Sequence, residues 1–488
     1  MAYKDLREFI ELLDSLGELK RISYPVSPRL EITEIASRLM HSGGPALLFE
    51  NVEGSELPVA INLMGSQRRM ALALGVEDLE QIAGRIEDLL STRIPDSLLG
   101  KLALLPRLRE LASYPPRIVS TGPVHEIIEQ GDGVDLGRLP VLTCWPADGG
   151  PYFTLPQVIT RSPITGVRNV GMYRLQVFDS RTTGMHWHIH KHGARHFEEA
   201  RELGKPLEVA VALGGDPVLA YAASAPLPDN IEEYLFAGFL RREAVELVKA
   251  RTVELEVPAS AEIVLEGYVD PREPLRREGP FGDHTGYYSL EDDYPVFHVQ
   301  AVTRRRKAVY PATVVGQPPM EDYWIGYATE RIFLPLLRLA VPEIVDYHMP
   351  PEGVFHNLVF VSIRKRYPGQ AFKVMHALWG QGLMMLAKVI VVLDEDVDLK
   401  NPAEAWWAAL NNIDPRRDTI FSPGPADALD HASVLPHFGS KMGIDGTRKL
   451  PAEGFTRPWP ERIKMTEEVR EKVDRIWKEL GIDAPGGS

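Results

Sequence analysis

Between residues 157 and 315 the chain is patterned as strands, and that stretch limits what it can fold into. Short apolar or alternating runs recur at 157–161, 168–178, 185–190, 208–213, 252–257, 263–269, 296–302 and 308–315. Their number and spacing predict a β-sandwich or barrel, interrupted by a helical insert around 230–249. The flanks are mixed. Leu6, Phe9, Ile10 and Leu13 recur at helical spacing, and Gly17 stops that helix. Residues 46–49 and 59–63 read as strands, 76–90 and 95–112 as helices. The Pro- and Gly-rich stretch 115–152 reads as a linker or wrapping segment. Beyond about residue 320 helices and strands alternate again, with strands predicted at 344–348, 358–363 and 389–393. Asn401 and Pro402 open a helix, and Thr466 is expected to cap a charged helix over 467–480.

At 488 residues the chain is too long for one small core. Its 44% hydrophobic and 25% charged content is that of a soluble globular protein. A net charge of -14 speaks against a nucleic-acid partner, because phosphate binding rests on Lys and Arg. The single cysteine, Cys144, excludes an intrachain disulfide framework, fits a reducing cytoplasm and reads as a small core residue. The start, Met-Ala-Tyr-Lys-Asp-Leu-Arg-Glu, is too charged for a signal peptide. The longest apolar stretch, 383–393, contains Lys388 and falls short of the ~20 residues of a membrane helix. A cytoplasmic protein with no transmembrane segment is expected.

Four segments concentrate chemistry. Glu278-Gly-Pro-Phe-Gly-Asp283-His-Thr-Gly-Tyr-Tyr288 sets two carboxylates on backbone that Gly279, Pro280 and Gly282 keep irregular. Bent, it can bring Glu278 and Asp283 together, and paired carboxylates hold a proton for transfer. It reads equally as a solvated turn. Arg174 lies among Val170, Met172, Leu175 and Val177, so it should be partly buried and needs an anionic partner, whether structural or functional. Five of the fourteen histidines fall between His186 and His196. On extended backbone His186, His188, His190 and His192 share a face, which suits either a metal site or a wetted strand. Ser224–Glu233 is a loop running into a helix, where acids are favoured by the dipole alone. There is no Gly-x-Gly-x-x-Gly or Walker loop, so a nucleotide cofactor would be held by separate side chains or a metal ion.

Together these segments resemble the UbiD family of decarboxylases. So do Val257-Pro-Ala-Ser-Ala-Glu-Ile-Val-Leu-Glu-Gly267, Pro342-Glu-Ile-Val-Asp346 and Phe438-Gly-Ser-Lys-Met-Gly-Ile-Asp445, and the likeness runs from the first helix to the last. It is strongest to the branch acting on 4-hydroxy-3-polyprenylbenzoate in ubiquinone biosynthesis. The resemblance implies an α+β multidomain fold: an N-terminal α/β domain (1–115), a central split β-barrel that binds flavin (116–318) and a C-terminal α/β domain used for self-association (319–488). It implies non-oxidative, reversible decarboxylation of an aromatic acid with prenylated FMN, a divalent metal (usually Mn2+) and K+ nearby. By the same resemblance Asn169, His188 and Glu233 hold the metal. Met172, Tyr173, Arg174, Trp187, His188, Lys191 and Lys441 contact the cofactor. Arg174, Glu278 and Asp283 form the catalytic network, with Asp283 the proton donor. A flavin prenyltransferase would supply the cofactor, and a homodimer or hexamer is implied.

The chain departs from the ubiquinone branch at His186, Ile189 and Lys191-His192, where that branch has Arg, Ser and Arg-Gly, and His188 resembles the metal histidine of ferulic acid decarboxylases. The substrate therefore stays open to 1,4-dihydroxy-6-naphthoate of menaquinone synthesis or another aromatic or heteroaromatic acid. The rival classes are a non-catalytic flavin- or metal-binding protein and a histidine-rich metallohydrolase.

Two physical conditions accompany these expectations. An ordinary Asp, pKa about 3.9, is rarely protonated at neutral pH. Asp283 can act as an acid only if burial and Glu278 outweigh Arg174, or if it takes up a proton during turnover. A simple hairpin turning at 179–184 would also leave Asn169 roughly 17–20 Å from His188 at ~3.3 Å per residue. Joint ligation needs a bend before Arg174, and Gly171 is the expected place.

Overall fold

The computed structural model describes residues 2–91, 105–187, 191–228 and 231–480. Asp5 starts the first helix, Leu6–Ser15, its carboxylate accepting from the Arg7 and Glu8 amides. Leu6, Phe9, Ile10 and Leu13 are its buried stripe, and Gly17 leaves it at φ +72°. The N-terminal sheet runs Leu19–Ile22, Ala46–Phe49, Val59–Ile61, Tyr310–Ala312. Its last strand, predicted with the central group at 308–315, instead pairs parallel with Val59–Ile61.

The seven-stranded central sheet follows the path Thr182–Gly184, Val296–Arg304, Ile263–Val269, Leu207–Leu213, Gln157–Arg161, Arg168–Met172, and Ile127–Gln130 adds to Val296–Arg304. All its pairings are antiparallel. Because strand side chains alternate, this sheet divides two cores. Ala210, Ala212, Ile159 and Val264 pack toward the helices Pro217–Ser224 and Glu233–Arg241. Val209, Val211, Val158 and Leu265 pack the other way, with Cys144, Phe153 and Tyr310. Among the described residues the two ends of the sheet do not pair, so no closed barrel is found.

Several elements depart from expectation. The strand foreseen over 168–178 breaks after Met172 and resumes as Leu175–Gln176 in a separate pairing with Tyr152–Phe153. Residues 185–187 have left the sheet, and 188–190 lie outside the described residues. His192 opens the helix His192–Glu202, so it does not continue an extended face with His186. The insert is a helix pair followed by the strand Glu246–Lys249. Of the helix expected over 95–112, Leu105–Leu111 is seen and 95–104 lie outside the described residues. Residues 115–152 wrap, contributing Ile127–Gln130 to the sheet. Cys144 is buried in the core, and burial pushes its thiol up to about 12.

The long helix Glu321–Ala340 leads into a five-stranded C-terminal sheet ordered Ile344–His348, Leu358–Ile363, Val389–Asp394, Phe438–Asp445, Thr419–Pro425. The side chain of Asn401 caps Pro402–Asn412 as predicted, whereas that of Thr466 makes no cap bond to Glu467–Ile476. No described helix is long and apolar enough to cross a membrane.

Candidate active site

Arg174 sits where the chain leaves one sheet for another. Tyr173 folds its ring back over Gly171, so close that a Cβ there would lie 2.3 Å from the phenol oxygen. The chain therefore turns at Tyr173–Arg174, while Gly171 keeps its register opposite Val158. The chain thus turns two residues beyond Gly171, the expected place, and His188 lies outside the described residues.

Facing it, the segment 278–289 is held bent by its own neighbours. Gly279, at φ +97°, donates its amide to Gln176 Oε1 at 2.8 Å, and Gly282 donates to Asp148 Oδ1 at 2.8 Å. The Ser289 amide returns to the Phe281 carbonyl at 2.8 Å. A Cβ on Gly282 would lie 2.1 Å from the Trp145 ring, so the chain is pressed against that indole.

The result is a buried ionic cluster. Arg174 Nε and Nη2 donate to the two Glu278 oxygens at 2.9 and 3.1 Å, Nη1 donates to Asp283 Oδ2, and Nη2 also reaches Ser289 Oγ at 3.1 Å. The guanidinium lies 4.7 Å from the Phe281 ring centroid. His186 Nδ1 donates to Glu278 Oε2 at 3.2 Å, its ring 4.3 Å from that of Tyr294. Burial raises the Glu278 carboxyl, but the His186 hydrogen bond and Arg174 outweigh it and hold the group at about 2. Asp283 is likewise opposed by burial, yet its hydrogen bond to His284 and the charge of Arg174 hold it well below the usual range. Both acids are therefore ionised around one cation.

Glu233 is brought against the strand residue that follows Asn169. Glu233, first residue of the helix Glu233–Arg241, accepts from the Val170 amide at 3.0 Å. Burial pushes its carboxyl up to about 7. Asn169 Nδ2 is buried with no partner among the described residues. His188 lies outside the described residues, and no group of three His, Cys, Asp or Glu is set for a metal among them. A buried carboxylate short of counter-charge suits a hard dication, to which Asn169 would have to turn its Oδ1 rather than its Nδ2.

The other expected cofactor contacts come from several elements. Tyr173 and Trp187 are buried in the apolar core, Trp187 5.7 Å from Phe197, with its indole N–H unpartnered among the described residues. Met172 is half-buried, and Lys191 is exposed ahead of the helix His192–Glu202. Lys441 is buried in the C-terminal sheet, where its ammonium donates to the Met385 carbonyl and, at 3.2 Å, to that of Ala387. Sequence reasoning did not single out His284, though it adjoins Asp283. It also missed Ser289 and Asp148, whose roles depend on turns that only the folded chain reveals.

The family described as 3-octaprenyl-4-hydroxybenzoate carboxy-lyase matches in three pieces: its N-terminal domain over residues 10–87, its Rift-related domain over 117–318 and its C-terminal domain over 323–446. The chain belongs to the UbiD family of decarboxylases. An uncharacterized protein of Aquifex aeolicus is 53% identical over 99% of both chains. The UbiD-class enzyme HmfF from Pelotomaculum thermopropionicum, solved with FMN, is 32% identical over 96% of this chain and 99% of its own, with a TM-score of 0.79. An evolved dimeric form of HmfF, solved with prFMN, is 30% identical over 97% of this chain and 100% of its own, at 0.78. The vanillic acid decarboxylase of Sedimentibacter hydroxybenzoicus, in closed form, reaches 0.84 at 28% identity over 98% and 99%. This UbiD protein is thus a carboxy-lyase with the mixed α/β multidomain fold of its class.

Proposed function

We propose that the chain is a prenylated-FMN- and metal-dependent, non-oxidative decarboxylase of an aromatic acid. 4-Hydroxy-3-polyprenylbenzoate or a related quinone precursor leads as substrate, with 1,4-dihydroxy-6-naphthoate next. One observation carries the reading: a guanidinium bridges two buried carboxylates that come from a segment distant in the chain, within a UbiD framework. The central sheet then serves as a split barrel, its unpaired ends leaving room for a flavin. Asn169 and Glu233, with His188, would hold Mn2+, and K+ would lie nearby. Met172, Tyr173, Trp187, Lys191 and Lys441 are the further cofactor positions.

Prenylated FMN, when bound, supplies the electron sink for the carbon that loses CO2. The protein's own residues do the rest. Glu278 stays ionised and fixes the plane of Arg174 by a two-point hydrogen bond. Arg174 faces the substrate carboxylate or its acid partners, and Asp283 delivers a proton to the vacated carbon. Since Asp283 rests ionised, it must take up that proton during the cycle. Reversal under high CO2 follows from the same groups. The protein would work in the cytoplasm as a homodimer or hexamer, at a membrane surface if the acid is polyprenylated, and would receive its cofactor from a flavin prenyltransferase.

The test is co-production with a flavin prenyltransferase, followed by absorbance and CO2 release from a panel of aromatic acids. Flavin absorption with turnover supports the proposal. Flavin without turnover would leave only a binding protein, and hydrolytic activity without flavin would point to a metallohydrolase.

A further inference from the structure

We propose that His284 and His356 form a two-imidazole relay that loads the proton Asp283 gives to carbon, and that the relay is complete only when the C-terminal domain is seated against the loop 278–289. The inference rests on the decarboxylase reading and adds to it the source of the proton.

Asp283 Oδ1 accepts from the His284 amide at 2.8 Å and lies 3.0 Å from His284 Nδ1. His284 Nε2 lies 3.0 Å from His356 Nε2, with the rings steeply inclined at 64°. Two imidazole nitrogens at that distance must share one proton, and a carboxylate beside Nδ1 requires the hydrogen to be there. The file from Asp283 through both rings is therefore continuous. His356 Nδ1, at its far end, has no partner among the described residues.

His356 belongs to the C-terminal domain, between the turn Pro351–Gly353 and the strand Leu358–Ile363. The two residues before it, Val354 and Phe355, sit at φ +54° and +43°. Neither is glycine, so that backbone is strained, and strain of this kind persists where the surroundings over-determine it. Here it presents one side chain to His284, while Phe355 packs 5.5 Å from the same imidazole.

A single proton moves without rearranging heavy atoms. It enters at His356 Nδ1, the His356 Nε2–H passes to His284 Nε2, and the His284 Nδ1–H passes to Asp283 Oδ1. One charge crosses, and both rings finish in the opposite tautomer. The field favours the transfer from His356 to His284, while the step onto Asp283 runs against it, since the pairing that raises His284 also holds Asp283 low, so that step must be coupled to delivery of the proton to carbon. Burial and the charge of His284 lower His356 to about 4, against Asp427 and Asp430 and with Lys388. Burial also opposes charge on His284, but Asp283, Asp322 and Asp427 outweigh it and raise that imidazole. The proton is thus drawn from the C-terminal ring toward the ring beside the donor.

The relay is tested on the full-length, flavin-loaded enzyme by comparing wild type with His356→Gln. The variant should lose about tenfold or more in kcat with KM little changed. Its kcat should climb as pH falls between about pH 8 and 5, where wild type stays flat, because Asp283 would then draw its proton from solution. Added imidazole should restore turnover to His356→Gly. An unchanged kcat and pH profile in His356→Gln overturns the relay, and so does a loss that is the same at every pH and that imidazole does not reverse. Imidazole 15N NMR of the cofactor-free chain decides the bridge separately: replacing His356 should move the titration of His284, and a titration that does not move rejects it. If wild type releases no CO2 from any aromatic acid, the decarboxylase reading fails, whatever the NMR shows.

Discussion

Arg174 is the residue whose removal has the widest consequence, because it is the guanidinium that bonds both Glu278 and Asp283. In Arg174→Met the two buried acids would face one another without a cation, and breaking a buried pair costs about 3–5 kcal/mol. The pH dependence has a definite sign. Glu278 is lowered from 4.5 to about 2 in the folded chain, so its contribution is complete above 4.5 and disappears as pH falls toward 2. In the variant the same acids are raised by burial and become easier to accommodate as they protonate. Thermal melts of the two proteins should therefore lie far apart at neutral pH and draw together as pH falls from about 4.5 toward 2. A constant gap would show that Arg174 acts by packing alone. Asp283→Asn keeps the shape but carries no transferable proton. It should bind flavin normally while losing at least about a hundredfold in CO2 release, and near-normal turnover would remove Asp283 from the donor role.

The site rests on two irregular elements, and they mark where the sequence was and was not legible. The loop 278–289 could be read in advance because Gly279, Pro280 and Gly282 forbid a regular strand, which left convergence of Glu278 and Asp283 as an available outcome. The burial of Arg174 followed from its apolar neighbours. Most central strands were legible as short, largely apolar runs, since a sheet with a core on each face buries nearly every residue of a strand such as Leu207–Leu213. What could not be read were contacts set by distant backbone. Nothing in Tyr310–Ala312 distinguishes a central strand from a partner of Val59–Ile61, and nothing near His356 announces His284. The break after Met172 was foreseen as a need of geometry but misplaced at Gly171, because the turn is produced by Tyr173 folding over that glycine. That explanation can be tested. Gly171→Ala would force the buried Tyr173 ring aside, an overpacking change of about 1–3 kcal/mol. It should lower Tm and reduce turnover together, and a variant with unchanged Tm would mean that the ring does not set the bend.

At the scale of the whole molecule, the three stretches matched by the family do not fold around three separate sheets. The N-terminal sheet ends on Tyr310–Ala312, supplied from beyond most of the central region, and Glu321 of the long C-terminal helix accepts the Met64 amide at 2.7 Å, just past the strand Val59–Ile61. Glu321 is fully buried, and Tyr310 packs in the core shared with Phe49 and Ile61. The candidate site has the same character, for Arg174 and Asp283 come from the central region and His356 from the C-terminal one. Removing residues 116–488 would therefore strip an edge strand from the first sheet, leave Val59–Ile61 with unpaired backbone groups and expose the apolar side of Ala46–Phe49. We expect a fragment of residues 1–115 to lack cooperative unfolding by circular dichroism and to aggregate or remain unstructured. Adding a peptide that carries residues 305–318 should restore part of the order, because it returns the missing parallel partner. A fragment 1–115 that melts sharply on its own would show that the first domain folds independently and that the shared strand is a docking contact made afterwards.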